Sequence, residues 1–126
     1  MSKPMGLLIV ALNYANAPED EFNDWYDLEH IPERLRVKGF IGTQRWLGVD
    51  DPKISVATYE LDSLDVLQSP PYLAISGANL SPWSKRVTGM CERIARLDAD
   101  QILPGRLGAP DNAGGMAVGA MNVAPE

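Results

Sequence analysis

A single histidine, His30, stands in this sequence of 126 residues. Imidazole titrates near neutral pH, which makes it the natural proton carrier among the side chains. Tyr26 lies four residues before it and Phe22 four before that. On a helix the three share one face, with the phenol one turn below the imidazole. The stretch from Phe22 to Phe40 reads F-N-D-W-Y-D-L-E-H-I-P-E-R-L-R-V-K-G-F. Pro32 cannot donate a backbone hydrogen bond, and it disfavours the helical conformation at Ile31. The spacing therefore predicts a helix that stops or bends at His30 and leaves the ring open to a cavity. Tyr26 would then donate its phenolic proton to a substrate oxygen. The competing readings are a helix-end histidine bonded to a carbonyl, and a core tyrosine with a satisfied hydroxyl. Glu29 adjoins His30 but points about 100° away on a helix. It is expected at the surface or bonded to Arg34 or Arg36.

Arg45 follows on a strand-like stretch. It faces either the cavity, where it would hold a carboxylate or phenolate, or solvent. Phe22, Trp25, Trp46, Tyr59 and Trp83 supply an apolar lining suited to an aromatic or cyclic substrate, although tryptophans at such positions serve equally as core. Thr58 and Tyr59 alternate along one strand, so only one of them can line a pocket. Cys91, the one cysteine, reads as a small buried apolar residue, and nothing in the sequence brings it to His30. One histidine and one cysteine do not make the nitrogen or sulfur ligand set of an ordinary metal site. Phosphate-loop, flavin and nicotinamide motifs are absent from the sequence, so neither a metal nor a cofactor is expected.

These residues need elements to position them. The length fits one domain with a two-layer core. The net charge of −6 and pI near 4.7 argue against nucleic acid as a partner. A single cysteine fits a reducing, cytoplasmic compartment. The opening apolar run is too short for a membrane span and has no cleavage pattern, so no membrane partner is expected.

Gly6–Tyr14 is a continuous apolar run of strand length, as in a strand buried on both faces. Pro18 at the first helical position and three acids after it predict a helix over 18–30, with a short further turn over 32–36. Gly39 ends it. Residues 40–49 alternate, with Phe40, Gly42, Gln44 and Trp46 on one side and Ile41, Thr43, Arg45 and Leu47 on the other. Asp50-Asp51-Pro52-Lys53 turns the chain into a strand over 54–61. Short helical pieces follow around Leu64–Leu67, Tyr72–Gly77 and Ser81–Thr88, and 90–97 reads as the fourth strand. Strand, helix, strand, strand, helix, strand is the split β-α-β order of a ferredoxin-like α+β domain with a four-stranded antiparallel sheet. One face of such a sheet has no helices over it, and two copies closing face to face would cover it.

The domain is read over 1–103. From 104 the composition turns to glycine and proline, then to an apolar segment at Gly115–Val123. Gly6, Ala11 and Asn13 recur there as Gly115, Ala120 and Asn122, and Ala17-Pro18-Glu19 recurs as Ala124-Pro125-Glu126. Residues 104–126 are thus a linker and an extra strand resembling the start of a second repeat, expected to join a sheet edge across a dimer.

W-Y-D-L-E-H-I-P-E-R-L, then V-K-G-F and a strand ending in R-W, resembles the EthD-like branch of the dimeric α+β-barrel superfamily. A-T-Y-E-L-D-S-L-D-V-L resembles that family's third strand and the helix after it. The resemblance covers roughly residues 6 to 100. It implies a homodimer with a pocket between sheet and helices, and it matches His30 to a histidine that often faces that pocket. Two function classes follow. One is a cofactor-independent enzyme of lyase, isomerase, cyclase or dehydratase type, acting by proton transfer on a small aromatic or cyclic metabolite of catabolism. In it His30 moves the proton and Tyr26 or Arg45 stabilises the oxyanion. The other is a non-catalytic dimeric binding protein. An enclosed apolar cavity reached by the His30 ring separates the first from the second.

Overall fold

The central strand, β1 (Gly6–Asn13), has β3 (Ile54–Leu61) on one side and β4 (Glu92–Asp100) on the other, both antiparallel. Its apolar run is continuous because both faces are packed. Leu8 and Leu12 belong to the core under the helices, while Ala11 and Ile9 belong to a second cluster on the far face. The computed structural model describes residues 3–102, 114–118 and 121–125. The linker reading of 104–113 lies outside them.

After β1 come α1 (Glu19–Asp24), a π-helical turn (Trp25–His30), α2 (Ile31–Leu35) and β2 (Phe40–Gly48). β3 leads into a second helical connection. It consists of two 3₁₀ turns (Leu64–Gln68 and Gly77–Asn79), α3 (Pro70–Leu73) and α4 (Pro82–Gly89), and it ends at β4. The four strands run in the order β4-β1-β3-β2, all antiparallel, with the helices on one face. This is the ferredoxin-like α+β arrangement.

Several local expectations change. Pro18 is the residue before α1, in extended conformation (φ −57°, ψ 131°), and Glu19 opens the helix. Its missing N–H costs nothing there. The chain does not break at His30. Ile31 keeps helical angles (φ −63°, ψ −49°), and its N–H donates to the Tyr26 carbonyl, five residues back. The wide turn starts a new hydrogen-bond register, and Pro32 falls in the first turn of α2. A proline needs no donor there, and its clash with the carbonyl four residues back is relieved. Gly39 does end the helical segment, at φ +101°. A Cβ there would also approach Val66 Cγ2 to 2.4 Å, so only glycine fits.

Strict alternation fails at two places. In β2 the register slips between Phe40 and Gly42, so Ile41 bulges outward and is 53% exposed. Phe40 then joins Leu47 on the helix-covered face, and Trp46 keeps the far face. In β4, Ala95 pairs with Ala11 and Arg93 with Leu12, so Ile94 is the extra residue. Beyond β2, β6 (Met121–Pro125) pairs antiparallel with residues 46–48 of the same chain, and β5 (Met116–Val118) pairs with β6. The C-terminal segment is therefore two strands, and its sheet partner lies within the chain. Met116 packs against the far-face cluster of Ala11, Trp46 and Val56.

Candidate functional site

Between the helix-covered face of the sheet and the helices lies a cavity of about 310 Å³. That is the small end of the roughly 300–1,000 Å³ typical of ligand pockets. Leu8, Val10 and Leu12 of β1 form its apolar floor, and Tyr59 of β3 stands beside them. Trp25, Tyr26 and His30 come from the π turn, and Arg34 from α2. The second helical connection closes the opposite side with Tyr72, Leu80 and Thr88, and β4 adds Arg93 and Arg96.

The π turn explains how His30 reaches the cavity. A normal helix stacks residues four apart, and the Tyr26 and His30 rings meet edge to face at 5.3 Å. Bonds from residue to residue five back also bring Trp25 onto this face, with its ring 4.5 Å from His30. Trp25 is itself fixed. Its indole N–H donates to Ser84 Oγ at 2.9 Å, and that hydroxyl donates to Glu29 Oε2 at 3.3 Å. Ser81 Oγ donates to the same carboxylate oxygen at 2.7 Å. Glu29 thus ties the π turn to α4 and does not bond Arg34 or Arg36. Arg34 pairs with Glu33 at 3.0 Å and donates to the Ile75 carbonyl at 3.2 Å.

His30 Nδ1 and the Tyr59 hydroxyl are both buried without a hydrogen-bond partner among the described residues. Buried polar atoms are rarely left so, and a cavity beside them is where a ligand would satisfy them. Burial, reinforced by the charges of Arg34 and Arg45, lowers the His30 pKa to about 3. The ring is therefore neutral at neutral pH. Burial also pushes the Tyr59 phenol well above its ordinary value, so it remains a proton donor. Among the described residues no carboxylate offsets the burial of His30, and Glu29 and Glu33 are turned to other partners.

The sequence-predicted residues divide. His30, Tyr26, Trp25 and Tyr59 line the cavity. Phe22 does not: it is fully buried behind Tyr26 and stacked on Tyr14 at 4.3 Å. Arg45 also stands behind Tyr26, its guanidinium 4.3 Å from that ring centre, and it donates to Asn23 and Asp27. It is neither solvated nor in the cavity. Trp83 ties α4 to α1 through Glu21 at 2.7 Å, outside the cavity. Trp46 is on the opposite face of the sheet, where its indole donates to Thr58 Oγ1 at 3.0 Å beside a second hollow of about 240 Å³. Cys91, half-buried, lines the His30 cavity after all, and burial raises its pKa, so it stays a thiol. Sequence reasoning missed Arg34, Tyr72, Arg93 and Arg96. Only the Ile94 bulge puts the last two on one face.

Among the described residues no group of three or more His, Cys, Asp or Glu side chains is placed to hold a metal ion. None of their helices is long and apolar enough to cross a membrane. No family model matches the sequence, and no curated protein is significantly similar to it. A solved structure described as "Putative antibiotic biosynthesis monooxygenase" from Bordetella bronchiseptica superposes with a TM-score of 0.63 at 16% identity, over 80% of this chain and 100% of that one. The chain shares its ferredoxin-like fold. At that identity the likeness reaches no further than architecture.

Proposed function

We propose that the protein is an enzyme that moves a proton on a small aromatic or cyclic molecule without a cofactor. Neutral His30 is the base, and the Tyr59 and Tyr26 phenols steady the oxyanion that forms. The observation that carries this reading is the cavity itself. It is walled mostly by aromatic and aliphatic side chains, and two buried polar atoms beside it, His30 Nδ1 and the Tyr59 hydroxyl, have no partner among the described residues. A neutral imidazole accepts a proton, and a phenol held above its normal pKa donates a hydrogen bond without ionising. Arg45 acts behind Tyr26 by fixing its ring. A partly open cavity reached by the His30 ring supports an enzyme over a passive binding protein. Lyase, isomerase, cyclase and dehydratase chemistry all begin with this step. The E-H-I-P step at the end of an aromatic helix supports a likeness to the EthD-like branch.

The likeness to a protein described as a monooxygenase favours a second outcome of the same first step. The carbanion left by proton removal would add dioxygen to form a hydroperoxide; loss of a second proton from the same carbon would break the O–O bond, leaving a carbonyl on the substrate and releasing water, with the substrate itself supplying all the electrons. We further read the far face of the sheet, with the partly buried Ile9 and the 47%-exposed Leu97, as the seat of a second copy.

The test is a panel of one- and two-ring aromatic and cyclic metabolites, incubated without added cofactor and read by mass spectrometry with and without oxygen. Substituting His30→Ala should lower turnover roughly 10²–10⁴-fold. Full activity in that variant on an identified substrate would overturn the assignment of the base.

A further inference from the structure

Arg93 and Arg96 are three residues apart on a strand, a spacing that ordinarily sends two side chains to opposite faces. Here the bulge at Ile94 intervenes. Arg93 pairs with Leu12 and Arg96 with Val10, two residues of one β1 face, and both arginines line the His30 cavity. Arg34 lines it from the opposite layer. No Asp or Glu is among the described residues that line it. Three guanidinium groups thus converge on one hollow in a chain whose net charge is −6.

These guanidinium groups have donors to spare. Arg93 has no hydrogen bond or ion pair among the described residues, and Arg96 has only a long bond of 3.4 Å to the Tyr72 hydroxyl. Arg34 uses a single nitrogen, Nη1, for both Glu33 and Ile75. Charges on an edge strand commonly serve to repel other strands, but Arg93 and Arg96, though exposed, also line the cavity. Bulges that re-aim a side chain beside a site are the more fitting precedent.

We propose that the ligand of this cavity is a ring-bearing carboxylate, its carboxylate held at the mouth by Arg93 and Arg96 and its ring lying over the β1 floor toward His30. The fork of guanidinium donors matches the two carboxylate oxygens. This rests on reading the cavity as the ligand site, and it adds the substrate's charge class to the reaction proposed above.

The experiment compares 2-naphthoate with its neutral counterpart 2-naphthamide by calorimetric titration of the full chain at low salt. The two probes share a ring system and differ in charge. The carboxylate should bind about 10- to 100-fold more tightly, the range expected for hydrogen bonds to a charged group. Added salt should narrow the gap. In the double variant R93Q/R96Q the gap should close while the carboxamide affinity holds. Both positions are exposed, and circular dichroism checks that the variant folds. Equal affinities in the unaltered protein, a gap that survives in R93Q/R96Q, or no binding of either probe at millimolar concentration would each overturn the proposal. The H30A protein should keep the gap, so losing the proton-transfer reading and losing this one give different results.

Discussion

The His30 ring should make the fold sensitive to mild acid, and the size of the effect can be worked from its surroundings. The native structure keeps the imidazole neutral down to a pKa of about 3, against 6.5 in an unfolded chain, because it is buried and faces two arginine charges. Above pH 6.5 both states hold a neutral ring and the group makes no difference. Below 6.5 the unfolded chain takes up a proton that the native one refuses, so acid favours unfolding. The loss continues until pH about 3, where the native ring also protonates. The full effect is about 5 kcal/mol, of which about 2 kcal/mol falls between pH 7 and pH 5. A total stability of roughly 5–15 kcal/mol makes that visible. Urea denaturation at the two pH values, at one protein concentration, should show the unaltered protein losing about 2 kcal/mol more than His30→Gln does. The variant cancels every other titrating group. Because the chain has one histidine, a single imidazole NMR signal reports the same event directly. A midpoint near 6.5 in the folded protein, or equal acid losses in the two proteins, would refute the reasoning.

Other substitutions separate structure from chemistry. Tyr59→Phe removes a buried hydroxyl that has no partner among the described residues, so melting should hold or rise while turnover falls roughly 10²–10³-fold; a destabilised, fully active variant contradicts this. Ser84→Ala orphans the Trp25 indole N–H and should cost about 1–3 kcal/mol by chemical denaturation, with a shift in tryptophan fluorescence. A cost below about 0.5 kcal/mol, within the range of neutral surface changes, would mean that Trp25 is not held this way. Deleting residues 114–126 uncovers the β2 edge and the Trp46 cluster, so the truncated protein should melt lower and self-associate in light scattering. Unchanged melting and mass would show that the two strands add nothing.

Much of the fold could be read from periodicity. The unbroken apolar run of β1, the acidic first turn of α1 and the turn cluster between β2 and β3 each announce their element through a local cause, and the local causes agree with the global order. What periodicity could not supply were its own interruptions. A rule of alternation puts Phe40 with Trp46, and by the same rule Arg93 and Arg96 fall on opposite faces. In each case one extra residue reverses the assignment, and both extra residues, Ile41 and Ile94, look like ordinary strand residues. Their exposure of 53% and 40% is the only trace, and it exists only once the strands are paired.

The π turn is the third interruption, and it bears on the site most. Pro32 does mark something. A proline after six residues rich in aromatics must remove one backbone bond, and local rules predict a helix that stops or bends there and exposes His30. The chain instead widens by one residue and stays helical, so that Trp25 as well as Tyr26 lies against the imidazole. Opening the helix would have hydrated the ring and left it near its ordinary pKa. Packing it between two aromatic rings and beside two arginines keeps it neutral, with a free lone pair but a lowered proton affinity that an anionic ligand beside it would raise. The same proline thus leads to a different basicity depending on whether the backbone breaks or widens. Local sequence does not decide that, because Trp25 is held by Ser84, which stands on a helix some sixty residues further along the chain.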